Sequence, residues 1–194
     1  MAGFSIIADI GSAMVDILRQ NMVPKLIVNT ESIGLCHPSD KGDIVLGINL
    51  YNIEENEDII TGGMVSDGLK KMKYPPAYYN LYYMITAYSS SDIKFRSAEE
   101  AKLLGKVLQV FRDNAILGPE MLGEAAGNAD YKPKIELQKL TTDEKMKLWN
   151  VPNVPYKFSL FYKVYPVEVE SEKSKPVARV VQAAFDFQEN TQQE

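Results

Sequence analysis

From residue 79 to residue 87 the sequence alternates, with Tyr79, Leu81, Tyr83, Ile85 and Ala87 on one side and Tyr82, Met84 and Thr86 on the other. Aromatic and β-branched residues at a period of two specify a strand. Large side chains on both sides require sheet neighbours. Two segments offer them. Residues 43–53 set Ile44, Leu46, Ile48 and Leu50 against Val45, Gly47, Asn49, Tyr51 and Ile53. Residues 156–170 set Phe158, Leu160, Tyr162 and Val164 against Ser159, Phe161, Lys163 and Tyr165. Pro166 cannot donate to a ladder, so it breaks this last strand, bulges it, or lies at an edge. Shorter β-like runs stand at 26–28, 33–35 and 135–139.

Helical spacing fills much of the remainder. Ile6, Ile10, Ala13, Met14, Ile17 and Leu18 predict a first helix of about four turns from Ser5, stopped by Pro24. Ser97-Ala98-Glu99-Glu100 reads as a capping box ahead of Leu103, Leu104, Val107, Leu108 and Phe111, a helix ending near Asn114. Thr141-Thr142-Asp143-Glu144 opens a further capped helix with Met146, Leu148 and Trp149, ended by Pro152. Residues 54–76 carry an acidic cluster, Gly62, Gly63, Gly68 and Pro75-Pro76, and predict a long loop without regular structure. Residues 117–132 read as an irregular connection with one helical turn. Residues 177–187 are apolar enough for a returning strand, although Ala183 and Ala184 leave helix open, and 188–194 is a polar tail.

The expectation is an α/β (α+β) chain with a single mixed, mostly antiparallel sheet packed with two to four helices and extended by a long C-terminal β-ribbon. Residues 1–170 form the domain and 171–194 a C-terminal arm, possible as a pairing strand.

Composition narrows the chemistry. Net charge is -5 over 194 residues, the opposite of the basic footprint that a phosphate backbone selects, so no nucleic acid partner is expected. No apolar run approaches the roughly 18 residues of a membrane span, and Asp9 interrupts a start that has no basic leader, so neither membrane insertion nor a signal peptide is expected. Cys36 and His37 are the only cysteine and the only histidine. As neighbours in an extended chain they point apart, which disfavours a nucleophile–base pair. Two such ligands are too few for structural zinc. Glu54, Glu55, Glu57 and Asp58 lack the spacing of a calcium loop and read as a solvated charge run. The expected catalytic, cofactor and metal residues are therefore none.

Several segments together carry a resemblance. LGINLYNIEEN at 46–56, LYYMITAY at 81–88, Leu103-Leu104-Gly105, and Lys147-Leu148-Trp149 followed by Pro155-Tyr156, Ser159, Tyr162 and Pro166-Val167 occur in an order that resembles the cap, or tail-terminator, proteins of phage-tail-like contractile injection systems. No single piece is diagnostic; the ordered set is. The chain departs from the pattern at Glu57, Asp58 and Ile59, where a basic residue is expected.

The resemblance implies a tail-terminator-like fold and a non-enzymatic homo-oligomer, a six-membered ring on the end of the inner tube that touches the last sheath ring and halts polymerisation. It also implies assembly in the bacterial cytoplasm as part of the contractile particle, without cofactors. On that reading, Val177, Arg179, Val181, Phe185 and Phe187 are candidates for the sheath contact by edge addition. Ile59, Ile60, Met64, Lys70 and Lys71 in the glycine-rich loop are candidates for the tube contact. Trp149 and Tyr156 flank a Pro-bounded loop and read equally as interface anchors or as a lid on the core. The rival readings are a small-molecule or protein-binding α/β module and a weak hydrolase using Asp43, Glu99 and Glu100.

Overall fold

The computed structural model describes residues 3–67, 71–123 and 131–176. Helix α1, Ile6–Met22, buries Ile6, Ile10, Ala13, Met14, Ile17 and Leu18, the stripe that its spacing predicts, and Met22 at its end. Strands β1 (Ile33–Leu35), β2 (Leu46–Glu55), β5 (Ala77–Ala87), β6 (Lys134–Leu137) and β7 (Ser159–Val169) form one sheet in the order β1-β2-β5-β7-β6. β1 and β2 run parallel and the other neighbours antiparallel. Thus the sheet is mixed and mostly antiparallel, with the most strongly alternating segment at its centre.

Two cores follow from the two faces of β5. Leu81, Tyr83 and Ile85 meet α1 and α2 (Ile93–Asp113) in the larger core, with Leu46, Ile48, Leu160, Tyr162 and Val164. Met84 turns to the opposite face and packs with Phe161 and Trp149 under the segment that follows α4 (Thr142–Leu148), the helix after the four-residue α3 (Pro119–Leu122). The buried hydroxyls of Thr86 and Ser159 bond across β5 and β7 at 2.7 Å, which satisfies two polar groups that burial would otherwise penalise.

Bulges explain where simple alternation fails. Leu50 pairs with Tyr83 but Asn52 pairs with Tyr82, so Tyr51 is the extra residue. Alternation places Tyr51 and Ile53 on one side; the bulge returns Ile53 to the Leu81 side while Tyr51 stays against Phe161. On β7, Tyr79 pairs with Val167 and Leu81 with Val164, leaving Tyr165 and Pro166 to face Asn80. Of the three options for Pro166, the structure takes the bulge.

Four expectations are corrected. α2 begins at Ile93, capped by the Asp92 carboxylate on the Lys94 amide, so Ser97 lies inside the helix and is no cap. The Glu100 carboxylate instead accepts from the Ser89 amide and the Lys157 ammonium. Residues 54–76 are not without regular structure: they hold β3 (Val65–Asp67) and β4 (Lys71–Lys73), which pair with each other, and β4 pairs further with β8 (Ser174–Pro176) in a second, three-stranded sheet. Strand β6 stops at Leu137 and does not reach Lys139. Finally, β7 starts at Ser159 and lies between β5 and β6 rather than projecting as a free ribbon, which leaves Phe158 exposed.

Candidate assembly surfaces

The second sheet brings together segments that the sequence keeps about a hundred residues apart. β2 is followed by the buried Asn56, whose side-chain amide donates to Asn80 Oδ1 at 2.8 Å and whose Oδ1 accepts from the Asp58 amide at 3.0 Å. That bond turns the chain away from the main sheet. Beyond it Ile59 is half-buried, Ile60 is 93% exposed, and Met64 leads into β3. Lys71 sits on β4 opposite Pro176 of β8. Lys73 pairs with Glu170 at 3.6 Å, the Tyr74 amide donates to Lys173 O at 3.1 Å, and the Lys173 and Lys175 ammonium groups stand over the Tyr74 ring. Lys70 and the sheath candidates Val177, Arg179, Val181, Phe185 and Phe187 lie outside the described residues. Nonetheless, the chain enters the sheath candidates from β8, beside the strand that carries the tube candidate Lys71.

Trp149 and Tyr156 take different roles. Trp149 is 7% exposed, packs with Met84 and Phe161, and donates Nε1–H to Val154 O at 3.3 Å. It closes the smaller core. Tyr156 meets it edge-on with ring centres 5.9 Å apart and is 41% exposed. Met146, Leu148 and Phe158 are exposed as well, Phe158 because it falls just before the strand begins.

The residues weighed for chemistry do not converge. Cys36 Sγ lies toward Gly47, and burial raises its thiol above the ordinary range. The His37 ring is occupied by Ser39, accepting from its amide and lying 2.6 Å from its hydroxyl. Glu99 accepts from the Ser89 and Ser91 hydroxyls, which hold its carboxyl below the usual range, while Glu100 is bound to Lys157 and Asp43 lies in a separate loop. Among the described residues no group of three His, Cys, Asp or Glu side chains is placed to hold a metal ion, and no helix is long and apolar enough to cross a membrane.

The described residues thus form a helix-backed mixed sheet with a small accessory sheet. The chain belongs to the Pvc16 N-terminal domain family, whose model matches residues 9–183. No curated protein matches the sequence. Among solved structures it is similar to the sheath/tube terminator of the extracellular contractile injection system PVC in its extended state, at 19% identity and a TM-score of 0.63, over 95% of this chain and 64% of that one. It is similar also to the tube-terminating cap of the anti-feeding prophage, at 18% identity and a TM-score of 0.61, over 93% of this chain and 61% of the other. The chain therefore spans less than two thirds of the length of these structures.

Proposed function

We propose that this chain is a structural terminator of a contractile injection system: it docks on the end of the inner tube, engages the last sheath ring, and stops both polymers. It acts as a homo-oligomeric ring, six-membered as the resemblance implies, assembles in the bacterial cytoplasm before the particle leaves, and performs no catalysis. The observation that carries this reading is the sharing of the terminator fold over 95% of the chain, in a member of the Pvc16 N-terminal domain family.

The physical logic is one of missing continuation. A subunit whose one side mates with a growing polymer and whose other side offers no copy of that mating surface ends the stack. The accessory sheet β3-β4-β8 supports the reading as the place where such mating occurs, because the loop with Ile59, Ile60, Met64 and Lys71 and the segment leading to Val177 leave from neighbouring strands. In that arrangement the tube and sheath contacts form one composite surface.

The test is elongation. Purified tube protein polymerised with increasing amounts of this chain should give progressively shorter tubes, and cells lacking the chain should make particles of scattered length. Particles of normal, uniform length in such cells would overturn the proposal.

A further inference from the structure

We infer that the accessory sheet is an arm that swings as a unit on a joint formed by Pro75-Pro76 and residues 170–172. What the arm serves rests on the terminator reading above; that it swings does not.

The joint interrupts a single ladder. β5 and β7 pair out to Ala77 opposite Val169. Pairing resumes at Tyr74, whose amide donates to Lys173 O at 3.1 Å, and continues as β4 against β8 from Lys73 opposite Ser174 to Lys71 opposite Pro176. Between these stretches residues 75 and 76 face residues 170–172, so one strand carries an extra residue. An unmatched residue disrupts the ladder locally and bends the strand. On the facing strand Pro75 and Pro76 have no N–H to donate. The Lys173 amide turns back to its own strand, to Ser171 Oγ at 3.2 Å. Body and arm therefore meet where the ladder has no regular rung.

Little else stiffens the joint. The ion pair of Lys73 with Glu170 spans it at 3.6 Å with both side chains partly exposed, and a pair so open to water holds weakly. The Lys173 and Lys175 ammonium groups over the Tyr74 ring tie the arm to itself. No side chain described on β3, β4 or β8 is buried, and neither core includes any of their residues. The remaining connection, residues 56–64 from β2 to β3, contains Gly62 and Gly63, both surrounded by open space, and has the slack to follow.

Regions with few buried contacts open most readily. Here the break is concentrated at one place, while β3, β4 and β8 stay paired with one another, so the motion is a swing of the whole sheet. The tip at Lys71 stands about 10 Å beyond Tyr74 at roughly 3.3 Å per residue, and a modest swing carries it several ångströms. Under the terminator reading, one composite surface then meets tube and sheath at an angle that the partners set.

The experiment places spin labels on the full chain carrying Cys36→Ala, which removes the one native thiol, and reads distances by electron paramagnetic resonance. Lys102→Cys with Pro176→Cys spans body and arm. Lys102→Cys with Ser12→Cys lies within the body and Val65→Cys with Pro176→Cys within the arm; all four positions are exposed. The body–arm distance should be spread over several ångströms and the other two should be narrow. Joining the ladder, by Pro75→Thr and Pro76→Val with Glu172 deleted so that the facing segments match, should narrow the body–arm spread to that of the body pair. A body–arm distance as narrow as the body pair in the unjoined chain overturns the hinge, and so does a spread arm pair, which is fraying. A spread that the joined variant retains, with its body pair unchanged to verify folding, overturns the assignment to this joint. Added tube protein should narrow the body–arm distance; a spread that neither tube nor sheath alters overturns docking through the composite surface and leaves the hinge standing.

Discussion

Gly47 sits where β2 passes beneath Cys36 and Tyr88, and a Cβ built there would lie 2.6 Å from Cys36 Sγ and 3.1 Å from Tyr88 Cε2. Its absence of a side chain is therefore a packing requirement. Gly47→Ala should lower stability by about 1–3 kcal/mol, the usual cost of overpacking, measured by denaturant unfolding; adding Cys36→Ala should recover part of the loss, since it removes the nearest obstacle. Asn56 is a second residue whose role is local and structural. Asn56→Ala leaves the buried Asn80 without this donor and the Asp58 amide without its acceptor, at an expected cost of about 1–3 kcal/mol. Faster hydrogen exchange at the Asp58 amide would report the released turn. Both residues stand within the segment 46–56 that carried the resemblance, yet their partners were not legible: Asn80 is 24 positions away, and nothing in spacing says which distant amide will meet it. Trp149 is the same case at larger size, since its Pro-bounded setting does not tell that Met84 and Phe161 pack against it.

Among the elements, those with long runs of patterned residues are legible in the sequence and the short ones are not. α1, β2, β5 and the body of α2 announce themselves because burial imposes a period on ten or more residues. β3, β4 and β8 have three residues each, too few for a period, and their pairing is decided by tertiary contact. The start of α2 is hidden for a different reason: Ser97 to Glu100 has the form of a capping box, yet the Asp92 carboxylate caps the helix and Glu100 binds Ser89 and Lys157 instead. At α4 the signals agree. Thr141 and Glu144 form the full reciprocal box around a seven-residue helix that buries none of its own residues, so this helix depends on its cap more than on its packing. The Thr141 hydroxyl and amide hold the Glu144 carboxyl below its ordinary value of 4.5. A carboxyl lowered in the folded state contributes fully above the unfolded value and loses that contribution as pH falls through the folded one. Consequently, the stability difference between the wild type and Glu144→Gln should be constant near neutrality and shrink below about pH 4.5, with urea unfolding across pH as the measurement.

For the whole molecule, the decisive feature is that a strand near the C-terminal end of the described chain, β8, is hydrogen-bonded into an excursion between β2 and β5. The sequence suggests two separate contact segments, one for tube and one for sheath, because it places them a hundred residues apart. The fold puts the strands that launch them side by side, with β4 between β3 and β8. Met72 lies at the centre of β4, opposite Ser66 on one side and Lys175 on the other. Proline there has no N–H to give and holds φ near about −65°, away from the extended values of an antiparallel ladder, so Met72→Pro should dissolve the accessory sheet. The five-stranded sheet and both of its ends are untouched by this change, and rings should persist by electron microscopy. Capture of tube and of sheath, measured separately by co-sedimentation, should fall together if they share one composite surface. A variant that loses only one of the two would show instead that the loop and the C-terminal segment reach their partners independently, and that β4 merely passes between them.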